Sequence, residues 1–207
     1  MIKLIFNILK NSIVNIWPSL VIILVTIISI RFAYLKINKI KFDFYKEFWT
    51  LFSVFYLLLL YELVTRVDYN TLGGGINITP FAEIMRYKIT SEYFLLNVIG
   101  NIALFIPFGY IISKYIKPKN ILYILLIAIC VSTTIEIVQL NIGRSFDIDD
   151  ILLNTIGCSI GYILYLIFNK LYKYLPNIFK TKLFNNLLCI GILVIIVLCI
   201  VLGAVRA

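Results

Sequence analysis

The chain has 207 residues and not one histidine. That absence removes the usual general base near neutral pH, any Ser-His-Asp triad and the commonest metal ligand. Acidic residues are scarce, with ten Asp plus Glu in all. Four cysteines, Cys130, Cys158, Cys189 and Cys199, lie inside apolar runs, and none forms a C-x-x-C pair. They read as small buried hydrophobes rather than redox or metal groups. No nucleophile motif, phosphate-binding glycine loop or dinucleotide fingerprint occurs, so no cofactor is expected. Internal repeats and low-complexity linkers are also missing, which favours one membrane domain over residues 1–207.

What the chain has is apolar side chain. Hydrophobic residues make up 62% of it, and the mean hydropathy is +1.01. Continuous apolar runs long enough to cross a bilayer point to an all-α, polytopic transmembrane helical bundle. A β-barrel would need alternation instead. Six spans are expected, at about Val14–Phe32, Phe48–Thr65, Tyr93–Ile112, Asn120–Leu140, Asp147–Phe168 and Leu187–Val205. The count falls to five if the short second run is not a span. Lys3 and Lys10 precede the first run, but no small-residue cleavage pattern follows it, so it reads as a retained helix.

The net charge is +9. Because the basic residues cluster between apolar runs, they speak for membrane topology and anionic headgroups, not for nucleic acid. Twelve of the 19 Lys and Arg residues fall in loops 1–2, 3–4 and 5–6. The positive-inside rule places those loops in the cytoplasm and loops 2–3 and 4–5 outside. Loop 2–3 contains Gly73, Gly74, Gly75 and Pro80. Its "FAEIMRY" segment reads equally as a short surface helix or as a flexible connector.

Polar groups then stand out by position. At about 1.5 Å rise per residue, Asn97, Asn101, Glu136, Gln139, Asp150 and Asn154 all fall in the outer third of their spans, with Glu62 also near that end. Ser132, Thr133, Glu136, Gln139 and Gly143 share one helical stripe. Asp150, Asn154, Gly157 and Gly161 share another, and the two glycines form a small-xxx-small pair that permits close helix approach. Ionisable groups inside a bilayer are costly unless paired or hydrated, so a polar cavity open to the outer surface is expected here. Asp147 has the spacing of a helix cap, which alone could account for it. Capping accounts for neither Glu136 nor Asn154.

These residues carry a resemblance. "NIALFIPFG" (Asn101, Phe105, Pro107, Gly109), "EIVQ" (Glu136, Gln139) and "RSFDIDDILLNTIGCSIG" (Arg144, Asp147, Asp150, Asn154, Gly157, Gly161) resemble the motif series of the VanZ-like family. The upstream "NITPF" (Asn77, Pro80, Phe81) is similar to another family element, and the resemblance covers about 77–166. It implies a multi-pass bacterial membrane protein associated with low-level teicoplanin resistance. Candidate catalytic carboxylates are Glu136, Asp147 and Asp150. Candidate ligand-binding residues are Asn97, Asn101, Gln139, Arg144, Asn154 and Arg86.

Three functions remain open at this point. A binding or shielding protein could use Arg144, Arg86 and Lys88 to hold a lipid-linked cell-wall precursor or a glycopeptide, with membrane lipids as standing partners. A membrane enzyme could use the carboxylates for acid–base work or to bind a divalent cation through oxygen. A transporter with Glu136 and Asp150 as coupling groups is the least favoured, since no inverted repeat or midplane broken helix is evident.

Overall fold

The architecture comes from a computed structural model that describes residues 2–65, 75–88 and 91–205, with side chains described for 17–65, 75–88 and 91–194. Gly73, Gly74, Arg66 and Arg206 lie outside the described residues, as do the side chains of Lys3, Lys10 and Cys199. Seven helices follow in order: α1 (Ile2–Ile37), α2 (Phe44–Thr65), α3 (Ala82–Arg86), α4 (Glu92–Ile116), α5 (Ile121–Asn141), α6 (Ile148–Tyr174) and α7 (Lys182–Val205). Two short strands, β1 (Ile76–Asn77) and β2 (Phe146–Asp147), form a parallel pair.

Among the described residues, five helices are long and apolar enough to cross a membrane: Trp17–Ile37 of α1, then α2, α4, α5 and α6. They match the first five expected spans to within a few residues. Most of the differences come from helices running past the apolar stretch into polar sequence, as α6 does to Tyr174. In α7, the part with described side chains, Lys182–Val194, is apolar, and the helix runs on to Val205. The expected last span, Leu187–Val205, lies within that helix.

The chain divides into two compact units. One comprises Met1–Pro18 and Tyr56–Phe168, and the other Ser19–Phe55 and Asn169–Ala207. The first unit is built on Leu60, Phe105, Phe108, Ile124, Ala128, Cys158 and Tyr162, all buried. Glycine sets the approach of α4 to α6. A Cβ at Gly157 would overlap the Ile102 carbonyl oxygen, and one at Gly161 would overlap that of Ile106. From the other side, a Cβ at Gly109 would overlap the Cys158 carbonyl. Two backbones therefore touch where any side chain would force them apart. In a bilayer, where lipid is as apolar as leucine, such close contact is the main source of helix association.

Two irregularities shape α4. Residues Leu95–Ile99 form a single π-helical turn, a type of distortion that often marks functional sites. Pro107 removes one helix hydrogen bond. One turn away, the Tyr56 hydroxyl of α2 donates to the Leu104 carbonyl, a supplementary contact of the kind that steadies kinked membrane helices.

The second unit contains the C-terminal half of α1, the start of α2 and α7. Its polar feature is the pair of Arg31 with Glu47, in which Nε and Nη2 donate to the two carboxylate oxygens at 2.8 and 3.1 Å. The Tyr45 amide donates to Asn186 Oδ1 at 3.2 Å, linking α2 to α7.

Candidate functional site

The site begins where α5 ends. Gly143 has φ 89°, a left-handed conformation that glycine adopts without strain. The Arg144 amide then donates to the Gln139 carbonyl at 2.9 Å, and the Gly143 amide to Leu140 at 3.2 Å. This is a Schellman motif, which ends the helix and satisfies carbonyls that would otherwise be orphaned. The chain turns back through β2 and enters α6 at Ile148. Asp147 Oδ1 accepts from the Asp149 amide at 2.8 Å, an N-cap on that helix. The start expected at Asp147 is therefore one residue early, because Asp147 is the cap and not the first helical residue.

Onto this turn the 75–88 segment is fastened. Ile76 pairs with Phe146 and Asn77 with Asp147, and the Phe146 amide donates to Gly75 at 2.9 Å. Asn77 Nδ2 donates to Asp147 Oδ1 at 3.1 Å. Asp149, only 1% exposed, holds the segment most firmly. Its Oδ1 accepts from the Phe81 amide at 2.5 Å, and its Oδ2 from the amides of Glu83 and Ile84 at 2.8 and 3.2 Å. These are the free N–H groups at the start of α3, where a carboxylate also meets the positive end of the helix. "FAEIMRY" is thus a short helix with an anchor, not a loose connector. Met85 and Phe81 remain exposed.

Inside the turn, acids and amides interlock. Glu136, 1% exposed, accepts from the Asp147 amide through Oε2 at 2.8 Å. Asn101 Nδ2 donates to Asp150 Oδ1 at 2.5 Å, joining α4 to α6. Asn154 Nδ2 donates to Ser132 Oγ at 2.8 Å, joining α6 to α5. Gln139 Nε2 and Arg144 Nη1 both donate to the Val64 carbonyl, at 2.8 and 3.1 Å. Val64 lies in the last turn of α2, where carbonyls have no helical partner. Among the described residues Arg144 forms no ion pair within 4.0 Å. Among the described residues, two buried acceptors have no donor: Gln139 Oε1 and Asn154 Oδ1.

Outside the spans, burial pushes the Asp147 carboxyl above the usual aspartate range. The Asp149 amide pulls it down, while the nearby carboxylates of Asp149 and Glu83 raise it again. Burial likewise raises Tyr87, helped by Glu83, whose Oε1 accepts from the tyrosine hydroxyl at 2.6 Å.

Seven of the nine candidate residues meet here: Asn101, Glu136, Gln139, Arg144, Asp147, Asp150 and Asn154. Two stand apart. Asn97 is exposed on the π turn. The wider turn breaks the one-turn alignment with Asn101 that regular helical spacing implies. Arg86 is exposed and pairs with Glu83 at 3.1 Å, three residues away on α3. The sequence reading gave no role to Asp149, Ser132 or the Val64 carbonyl. Asp149 had a signal, since on a helix it sits about 100° around from Asp150 and so off the stripe that Asp150 shares with Asn154. The carbonyl had none, because backbone groups leave no mark on composition.

Taken together, the five membrane-length helices and the acid–amide turn define a multi-pass helical membrane protein with a polar site at one end of α4, α5 and α6. A model of the VanZ/LLP1 family matches residues 20–169, and the chain belongs to that family. It is similar to "Protein VanZ" of Enterococcus faecium, at 27% identity over 156 residues, covering 72% of this chain and 88% of that protein. No solved structure matches it.

Proposed function

We propose that the acid–amide turn binds an anionic cell-envelope molecule from the outer leaflet, and so shields it and lowers glycopeptide susceptibility. The observation that carries this reading is the pattern of unmet bonding. Gln139 Oε1 and Asn154 Oδ1 are buried without donors, beside an arginine that is only half-buried and has no carboxylate partner among the described residues. An unsatisfied buried acceptor costs about 1–3 kcal/mol, so a ligand offering N–H or O–H groups is favoured there. The guanidinium suits a phosphate or carboxylate on the same molecule. A lipid-linked cell-wall precursor combines an anionic diphosphate with sugar and peptide donors, and it is confined to the membrane as this protein is. The relative named Protein VanZ supports a link to glycopeptide tolerance.

Arg144→Ala, Glu136→Gln and Asp150→Asn are expected to abolish any teicoplanin tolerance that the wild type confers, at unchanged membrane abundance. Wild-type tolerance in all three would end the cavity reading.

A second reading is an enzyme acting on that same precursor, with the half-buried Asp150, oriented by Asn101, as the acid–base group and Glu136 and Asp147 beside it. The observation in its favour is the accessibility of Asp150 beside a fully buried Glu136. Turnover of purified precursor, lost in Asp150→Asn, would select it over simple binding.

A further inference from the structure

The second unit contains a cavity of about 480 Å³, within the range of small-molecule sites. Its wall is formed by Leu24 and Ile28 of α1, Phe48 and Phe52 of α2, and Leu193 of α7. Water cannot fill it stably, because a bound water needs two to four polar partners and the wall is almost wholly apolar. It is also too small for a helix, which is about 10 Å across with its side chains. A flexible hydrocarbon chain meets neither obstacle, and helices of membrane length bring the cavity to lipid.

One end of the cavity is charged. Arg31 and Glu47 line it, and Glu47 holds the guanidinium through Nε and Nη2. The remaining nitrogen, Nη1, takes no part in that pair, and the Arg31 side chain is 43% exposed. Lys36 in the last turn of α1, Lys39 and Lys41 on the segment that joins α1 to α2, and Lys46 in the first turn of α2, 4.0 Å from Asp43, are all exposed. From 31 to 47 the sequence has five cations and two acids. An arginine at the charged end of an apolar slot, with lysines on the adjoining chain that also supplies the lining residues Phe42 and Phe44, is complementary to a phosphate on a hydrocarbon chain.

We propose that this cavity holds one acyl chain of an anionic phospholipid, with its phosphate facing Arg31 and the lysines of the α1–α2 segment. The glutamate makes the arrangement selective for geometry as well as charge. It fixes Arg31 at the mouth, whereas a free arginine would sweep across it.

The test uses the purified full chain, stripped of lipid and then offered phosphatidylglycerol or phosphatidylcholine, with retained lipid read by native mass spectrometry. The wild type is expected to keep one phosphatidylglycerol per chain, in preference to phosphatidylcholine by about tenfold, given three or four lysines near the headgroup. Ile28→Trp, which fills the slot, removes retention of both lipids. Leu24→Phe narrows it and serves if the larger change does not fold. Replacing Lys36, Lys39 and Lys41 together by Gln leaves one lipid bound but erases the preference. Equal retention of the two lipids by the wild type would overturn the proposal. So would undiminished retention in a folded slot-filling variant, or a lipid-free dimer as the stable species.

Discussion

The two units of this molecule solve burial in opposite ways. The interior of the second is mostly hydrocarbon, with the Arg31–Glu47 ion pair at the edge of an apolar slot and a looser pair of Lys46 with Asp43 at 4.0 Å. The first sets Glu136, Gln139, Asp149 and Asn154, all at least 95% buried, among membrane-length helices. A buried polar side chain adds little net stability when satisfied and costs much when not. At Glu136, Gln139 and Asn154 an apolar residue would hold the helices together as well, whereas Asp149 is needed to fasten the 75–88 segment. Polar groups that stability does not require are therefore the ones to examine for function, and the second unit supplies the contrast.

The glycines that hold the polar unit together offer the largest effect. Gly161→Leu should force α4 and α6 apart, since even a Cβ overlaps the Ile106 carbonyl. Overpacking costs about 1–3 kcal/mol where a core can give, and backbone cannot give. Loss of monodisperse protein in detergent is expected. By contrast, Gly191→Leu in the other unit has open space around its Cβ and should be recovered normally.

Next comes the anchor. Asp149→Ala removes the acceptor for three amides, and each hydrogen bond to a charged group contributes about 1.5–3 kcal/mol. Exchange at Phe81, Glu83 and Ile84 should accelerate by more than about tenfold, while the α4, α5 and α6 amides near Phe105, Ile124 and Leu153 stay protected. Unchanged exchange at the three amides would show that the strand pair alone fastens the segment.

The smallest expected effect lies at the ion pair of the apolar unit. Arg31→Gln leaves Glu47 without its partner, so it should lower the melting temperature more than Arg31→Gln combined with Glu47→Gln. If the double variant is the less stable of the two, Glu47 stabilises the unit through contacts other than Arg31, and the unpaired carboxylate carries no penalty.

The sequence made the helices and most of the site legible, for separate reasons. Long apolar runs have few alternatives to membrane helices, so five spans were visible from hydropathy alone. Glu136, Asp150 and Asn154 stood out because polar groups in such runs are costly. Gly157 and Gly161 were visible as a small-residue pair, although not their contacts with Ile102 and Ile106. Three features were hidden. The π turn at Leu95–Ile99 moved Asn97 off the face that regular spacing assigned to it. The β1–β2 pairing joins residues 70 apart in sequence, and no local pattern announces it. Gln139 and Arg144 were visible, but their shared bond to Val64 was not, because the acceptor is backbone.

The central claim is that the acid–amide turn is a binding site and not merely a packed helix junction. It is tested most directly by the affinity of the purified full chain, in lipid nanodiscs, for a lipid-linked cell-wall precursor, with Arg144→Ala beside the wild type. Binding by the wild type, weakened at least about tenfold in the variant by loss of a charged hydrogen-bond donor, is the expected result. The same affinity in both proteins, or no binding by either, would contradict it.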